Sequence, residues 1–184
     1  MDSPHHPLGH ARTPRLYVEA ALSPGTDLTL TREQAHYVQN VMRLGQGASL
    51  RIFNRQDGEW LARIAEAGKR TLLLTLLDRL RPADVLPDID YLFAPLKHAR
   101  LDYVVQKATE MGVRRLRPVI TRRTLAERVN MDRLAANVIE AAEQCNIAAL
   151  PDVLEPLTLP RLLADWDPVR RLIFADEGQD PAHN

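Results

Sequence analysis

Between positions 97 and 123 the chain carries eight Lys or Arg residues against Asp102 and Glu110 alone, a net +6 in 27 residues. Clustered cations of this kind neutralise phosphates and release counterions, so the segment is a candidate polyanion site. Arg122 and Arg123 stand together after Thr121, which closes the run 116–120. If that run is a strand of a parallel sheet, its carboxyl end is where α/β proteins bind ligands, and two adjacent arginines there favour an anion; the alternative is a charged loop. Arg100, Tyr103, Lys107 and Glu110 recur at helical spacing in one narrow sector, although Lys107 and Glu110 are equally an i,i+3 surface pair. Asn137, Glu140 and Gln144, with Glu143 beside them, combine acid and amide groups that can orient a base or ribose, or simply solvate a helix. His36 and Arg43 lie seven apart on another helical face and are open to a phosphate or to water.

Other chemistry is less well supported by the pattern. Cys145 falls on the apolar side of its helix with no histidine nearby in sequence, which predicts a buried, inert thiol. His5, His6 and His10 have neither a carboxylate nor a thiol to complete a metal site, so no metal is expected. Gly45-Gln46-Gly47 follows a helix and lacks a third glycine, so it is not a dinucleotide fingerprint.

The elements that must hold these residues fall into two grammars. The 184 residues are 45% hydrophobic and 26% charged, enough for a real core, with 24 basic and 24 acidic side chains in balance. No apolar run approaches the roughly 20 residues of a bilayer span, and the N-terminus lacks the build of a signal peptide; a soluble, cytoplasmic protein without a membrane partner is expected. One cysteine excludes an internal disulfide framework. Residues 1–14 read as a flexible tail.

From 15 to 80, short apolar runs at 15–19, 48–54, 60–66 and 71–78, with turns at Asp57-Gly58 and Gly68-Lys69, predict a barrel-like β domain. It carries one helix, opened by the capping-box spacing of Thr31 and Gln34 and stopped at Gly45, with Ala35, Val38 and Met42 inward. Residues 81–88 hold two prolines and two acids and read as a linker. From 89 the pattern is strand (89–95), helix (101–111, with Leu101, Val104, Val105, Ala108 and Met111 inward, ended by Gly112) and strand (116–120). A helix at 131–145, a short one at 160–166 and a strand at 171–175 follow, giving a parallel α/β sheet. The fold class is α/β, or α+β over the whole chain.

Several stretches together carry a family resemblance. They are Arg15-Leu-Tyr-Val18, the run His36 through Arg43-Leu-Gly, and Lys97 with Arg100 before Leu-Asp-Tyr. More specific are Gln106-Lys-Ala-Thr-Glu-Met-Gly-Val113, Arg117-Pro-Val-Ile-Thr-Arg-Arg123, and Glu140-Ala-Ala-Glu-Gln144 with Pro151 after it. From about Arg15 to Glu177 the chain resembles the bacterial 16S ribosomal RNA methyltransferases of the SPOUT class that modify N3 of a uridine.

The resemblance implies an N-terminal PUA-like β-barrel that holds RNA (15–80) and, from 89 to 184, the first part of a SPOUT α/β domain whose chain end forms a trefoil knot, an exception to the usual connection rules. It implies S-adenosylmethionine as cofactor, 16S rRNA of the small ribosomal subunit as partner, and a homodimer. Lys97, Arg100, Lys107, Arg122 and Arg123 would hold RNA, joined by His36, Arg43 and Gln144. Arg122, Arg123 and Glu143 are the candidates for catalytic roles, with no general base assigned. Two departures stand out. Asn146 and Ile147 replace a glycine and arginine common in the family. The family's later Gly-Pro-Glu-Gly-Gly and Leu-Gly…Leu-Arg segments do not occur in these residues. Most cofactor-binding residues are therefore expected outside this chain, which alone is expected to be inactive. A noncatalytic RNA-binding module and a truncated inactive fragment remain the alternative readings, beside a generic α/β domain whose charges are only surface.

Overall fold

The computed structural model describes residues 13–97, 99–124 and 128–175. The tail reading, with His5, His6 and His10, thus lies outside the described residues up to position 12. Five strands form the first sheet: β1 (Arg15–Tyr17), β2 (Asp27–Thr29), β3 (Ser49–Asn54), β4 (Gly58–Ala67) and β5 (Leu72–Arg81), in the order β1-β3-β4-β5-β2. β3, β4 and β5 are the expected antiparallel meander, β1 lies parallel to β3, and β2 runs antiparallel to β5. The sheet is open, which corrects the barrel expectation: β1 and β2 are three residues each and pair only inward, leaving two edges. Leu50, Ile52, Ile64, Leu72, Leu74 and Leu76 make its buried face, covered by Ala35 and Val38.

Those two come from α1 (Arg32–His36) and a π-helical turn, Tyr37–Val41. Thr31 caps α1 in a full capping box with Gln34, as the spacing predicts. The stop comes earlier than Gly45. Arg43 adopts φ +58, and the Leu44 N–H reaches back to the Val38 carbonyl at 3.0 Å, so an arginine occupies the left-handed position usually given to glycine.

The second sheet joins β6 (Asp90–Phe93), β7 (Arg115–Ile120) and β8 (Asp152–Val153), all parallel, with β9 (Leu157–Thr158) pairing farther along β7. α2 (Ala99–Glu110) links β6 to β7, α3 (Met131–Gln144) links β7 to β8, and α4 (Leu159–Ala164) follows β9 directly. Their core includes Phe93, Val105, Ala108, Leu116, Leu134 and Val138. Gly112, at φ +80, ends α2. Asp102 on α2 takes Arg133 at 2.6 Å and Asn137 at 2.7 Å, pinning α2 to α3.

Three further expectations are corrected. Met111 is 84% exposed, because it follows the last residue of α2 and no longer lies on the inward stripe. Cys145 is exposed: it is the C-cap of α3, where the chain leaves the helix through Asn146 at φ +59. Residues 171–175 form no strand and, among the described residues, no strand pairs with them; Ile173 and Phe174 are exposed. β2, β8 and β9 have two or three residues, too few to leave an alternating pattern.

Candidate nucleic-acid interface

Parallel pairing of β6 and β7, with Phe93 opposite Pro118, brings the loops after both strands to one edge of the sheet. Lys97 lies in the first loop and Arg100 in the first turn of α2; Arg122 and Arg123 lie in the second. The second loop is a tight turn. The Thr121 N–H donates to Thr124 Oγ1 at 2.8 Å, the Thr124 N–H returns to the Thr121 carbonyl at 3.2 Å, and the two hydroxyls are 3.1 Å apart. Both threonines are turned onto their own backbone, which leaves the exposed side chains of Arg122 and Arg123 pointing outward. Among the described residues, Lys97, Arg100, Arg122 and Arg123 have no side-chain partner. Four cations at the carboxyl edge of a parallel sheet suit an extended anion.

The rest of the charge cluster resolves differently. At the opposite, amino edge, Asp88 and Asp90 take Arg115 and Arg170, with Arg114 at 3.7 Å from Asp88. These arginines are bound within the fold. Lys107 lies two turns along α2 from Arg100, about 10 Å away at the usual helical rise. Its ammonium donates to Glu110 at 2.6 Å and sits 5.7 Å from the Tyr103 ring centre, and the Glu110 hydrogen bond raises its pKa. The sequence cluster is therefore two populations, one neutralised and one free.

A second group of predicted residues gathers where α3 ends beside the β domain. Glu143 accepts the Tyr17 N–H at 2.8 Å; burial raises its carboxyl pKa, opposed by that hydrogen bond and by the Arg15 charge. Gln144 is exposed and 3.4 Å from Glu140. Cys145 belongs here too, its thiol pKa raised by local desolvation and by neighbouring Glu110. His36 and Arg43 project from the β domain, both exposed. Sequence reasoning missed Tyr37, which follows His36. It is an exposed aromatic on the π-helical turn, and its phenol pKa is raised by burial of part of the ring and by Glu143 and Glu140. The available signal was an aromatic beside a histidine, six residues before Arg43. Arg117, within the family-like run, is half-buried in mid-strand and has no side-chain partner among the described residues.

A cleft of about 430 Å³ opens between the two sheets, lined by Tyr17, Arg55, Val138, Ile139, Leu150 and Asp152 among others. Its Arg55 and Asp152 are paired with each other. Every buried side-chain polar atom among the described residues has a partner, so they offer no orphaned donor or acceptor to cradle a nucleoside cofactor. Among the described residues, no group of three or more His, Cys, Asp or Glu is placed to hold a metal, and no helix is long and apolar enough to cross a membrane.

Residues 84–184, more than half of the chain, match the RNA methyltransferase domain family, and residues 30–77 match the RNA methyltransferase PUA domain. The chain belongs to the RNA methyltransferase domain family. It is 32% identical to ribosomal RNA small subunit methyltransferase E of Rickettsia conorii, over 79% of this chain and 60% of that protein. It is 31% identical to the Synechocystis protein of the same name, over 71% of this chain and 44% of the relative. The family member described here thus spans between two fifths and two thirds of these relatives' length. A Legionella pneumophila methyltransferase solved with bound S-adenosylmethionine superposes with a TM-score of 0.77 at 27% identity, covering 85% of this chain and 67% of that one. The fold is also that of the Neisseria gonorrhoeae ribosomal RNA small subunit methyltransferase E, with a TM-score of 0.75 at 22% identity and the same coverage.

Proposed function

We propose that this chain binds 16S rRNA and serves the S-adenosylmethionine-dependent methylation of a uridine at N3. The observation that carries the reading is the outward pair Arg122–Arg123 at the carboxyl edge of β7, together with Lys97 and Arg100 from the neighbouring loop, in a chain of this family. When bound, S-adenosylmethionine supplies an electrophilic methyl group. The described residues contribute RNA contacts and not the cofactor's cradle. Uracil N3 carries a proton on the base-pairing edge, so it reacts only when the base is unpaired, and as that proton passes to water. Lys97, Arg100 and Arg123 bind phosphates, and Arg122 or Arg123 stabilises the negative charge that develops on the uracil without acting as a base. His36, Arg43 and Lys107 extend the RNA contact, and Glu143 and Gln144 shape the ground beside it.

The functional unit in this proposal is a cytoplasmic homodimer with RNA lying across both subunits, without metal or membrane. The test is to incubate the full-length protein that bears this chain with isotopically labelled S-adenosylmethionine and small ribosomal subunits that lack the N3 mark. Label recovered in 3-methyluridine supports the reading. RNA binding without label transfer favours the noncatalytic RNA-binding module instead, and label on a ribose or another ring atom rejects the proposed reaction.

A further inference from the structure

Glu59 on β4 is only 1% exposed, and three arginines from β1, β3 and β5 converge on it. Arg15 Nε donates to Glu59 Oε1 at 2.7 Å, Arg81 Nε donates to Oε2 at 2.6 Å, and Arg51 Nη1 lies 3.3 Å from Oε1. Burial alone would raise this carboxyl's pKa, but the hydrogen bonds from Arg81 and Arg15 and the positive charges of Arg15 and Arg51 outweigh it and hold it below the usual range. A buried ion pair by itself is weak evidence for stability. Here the informative feature is where the remaining donors go.

Arg15 reaches out of its own sheet into the other half of the molecule. Its Nη1 donates to the carbonyls of Ala142 and Glu143, the latter at 3.0 Å, and its Nη2 donates to the Ile147 carbonyl at 3.0 Å. These lie at and just beyond the C-terminal end of α3, where helix carbonyls lack internal partners and a cation is favoured by the dipole. The guanidinium also lies 4.3 Å over the Phe53 ring. Arg51 donates to Asn146 Oδ1 at 3.0 Å, and Arg81 donates to the Asn146 carbonyl at 2.5 Å. Asn146 is able to offer both groups because the helix closes in a Schellman-type turn, with the Ile147 N–H bound to the Ala142 carbonyl at 3.2 Å. One carboxylate therefore organises three guanidinium groups that grip one helix end.

We infer that Arg15 is a positioning residue for RNA. It ties the unit bearing His36 and Arg43 to the unit bearing Lys97, Arg100, Arg122 and Arg123, so that one RNA meets two surfaces at a fixed spacing. This rests on the RNA-binding reading above. Fixed spacing makes the second contact intramolecular, which raises affinity without any added contact. Lysine cannot replace the residue, since only the planar fork spans Glu59 and three carbonyls at once.

Arg15→Gln leaves Glu59 opposite Arg51 and Arg81, so the carboxylate is not stranded. Asn146→Gly is a milder second variant, because glycine suits the left-handed backbone and only the Arg51 bond is lost. Both are made in the full chain with Cys145→Ser and spin labels on cysteines placed at Lys69 and Ala136. Electron–electron double resonance gives the distance distribution, and anisotropy gives the affinity for a single-stranded RNA long enough to reach both surfaces and for one too short to do so. The parent chain is expected to give one narrow distance peak, broadened in Arg15→Gln and less so in Asn146→Gly. The long RNA should bind Arg15→Gln about tenfold or more weakly, while the short RNA is unchanged. A peak as narrow in the variant as in the parent, or equal losses for both RNAs, overturns the inference. If the peak broadens but the parent binds neither RNA, the RNA-binding reading and the RNA role of Arg15 both fall, and the tie alone stands. Should Arg15→Gln not fold, Arg15→Lys, which keeps the charge and loses the fork, decides by the same outcomes.

Discussion

The backbone N–H of Tyr17 donates to Glu143 Oε1 at 2.8 Å, joining β1 to α3 across 126 positions of sequence. Glu143 thereby serves the fold whatever else it does. Its carboxyl has a raised pKa in the folded state, chiefly from burial, so its stabilising effect is complete below the ordinary value of 4.5 and is lost as pH rises through the folded value. Glu143→Gln keeps the acceptor and removes the buried charge. It should match or exceed wild-type stability at pH 7, with the advantage shrinking toward pH 4. Glu143→Ala loses the acceptor and should be destabilised by about 1–3 kcal/mol. Urea denaturation across that pH range checks both, and a Gln variant as weak as the Ala variant would show that the charge itself is needed.

Arg43 carries a backbone conformation that suits glycine better, at φ +58, while its side chain is exposed. Strain of this kind concentrates at functional positions. Arg43→Gly should raise stability by about 0.5–1 kcal/mol through relief of that strain, and should weaken RNA binding. A thermal melt together with an RNA titration tests the pair of effects. A variant that is more stable and binds RNA unchanged would remove Arg43 from the interface.

The two populations of cations should differ in salt dependence. Arg123→Ala, losing a free guanidinium, should reduce the salt slope of RNA binding by about 1 and weaken binding evenly across sequences. Lys107 is already held by Glu110 at 2.6 Å, so Lys107→Ala should change the slope by less. Titrations of one RNA over a range of salt concentrations measure both slopes. Equal slopes for wild type and Arg123→Ala would return Arg122 and Arg123 to the role of a charged loop.

Elements with enough residues to show a period were legible in the sequence. The β3–β4–β5 meander, the capping box at Thr31, α2, β7 and α3 follow from alternation, helical spacing and turn residues. The two- and three-residue strands were not, since pairing and not pattern defines them. Cys145 and Met111 show the limit of helical periodicity: each continues an inward stripe by spacing, yet each lies just past its helix, where the chain has turned. The charge cluster at 97–123 was visible, but its division was not. Asp88, Asp90 and Glu110 decide which cations are spent, and the two aspartates lie outside the counted segment. The Glu59 hub was invisible for the same reason, because its partners are separated by up to 44 positions and its target helix end by more.

Glu59 also sets an acid limit. Its folded pKa is lowered, so its contribution is complete above the ordinary value of 4.5 and is lost as pH falls through the folded value. Arg15→Gln removes one source of that lowering. The stability gap between wild type and Arg15→Gln should be constant from pH 7 to 5 and narrow below about pH 4.5. Denaturation midpoints at each pH provide the check, and a gap that widens in acid would place the linkage elsewhere.

The claim that the cations at the carboxyl edge of β7 serve uridine methylation is tested most directly in ribosomes. A strain lacking the protein is complemented with the natural gene or with one encoding Arg122→Ala and Arg123→Ala, and nuclease digests of its 16S rRNA are quantified by mass spectrometry. 3-Methyluridine is expected to disappear with the gene, to return with the natural one and to return only in part with the double variant. A normal level of 3-methyluridine in the strain lacking the protein would contradict the claim.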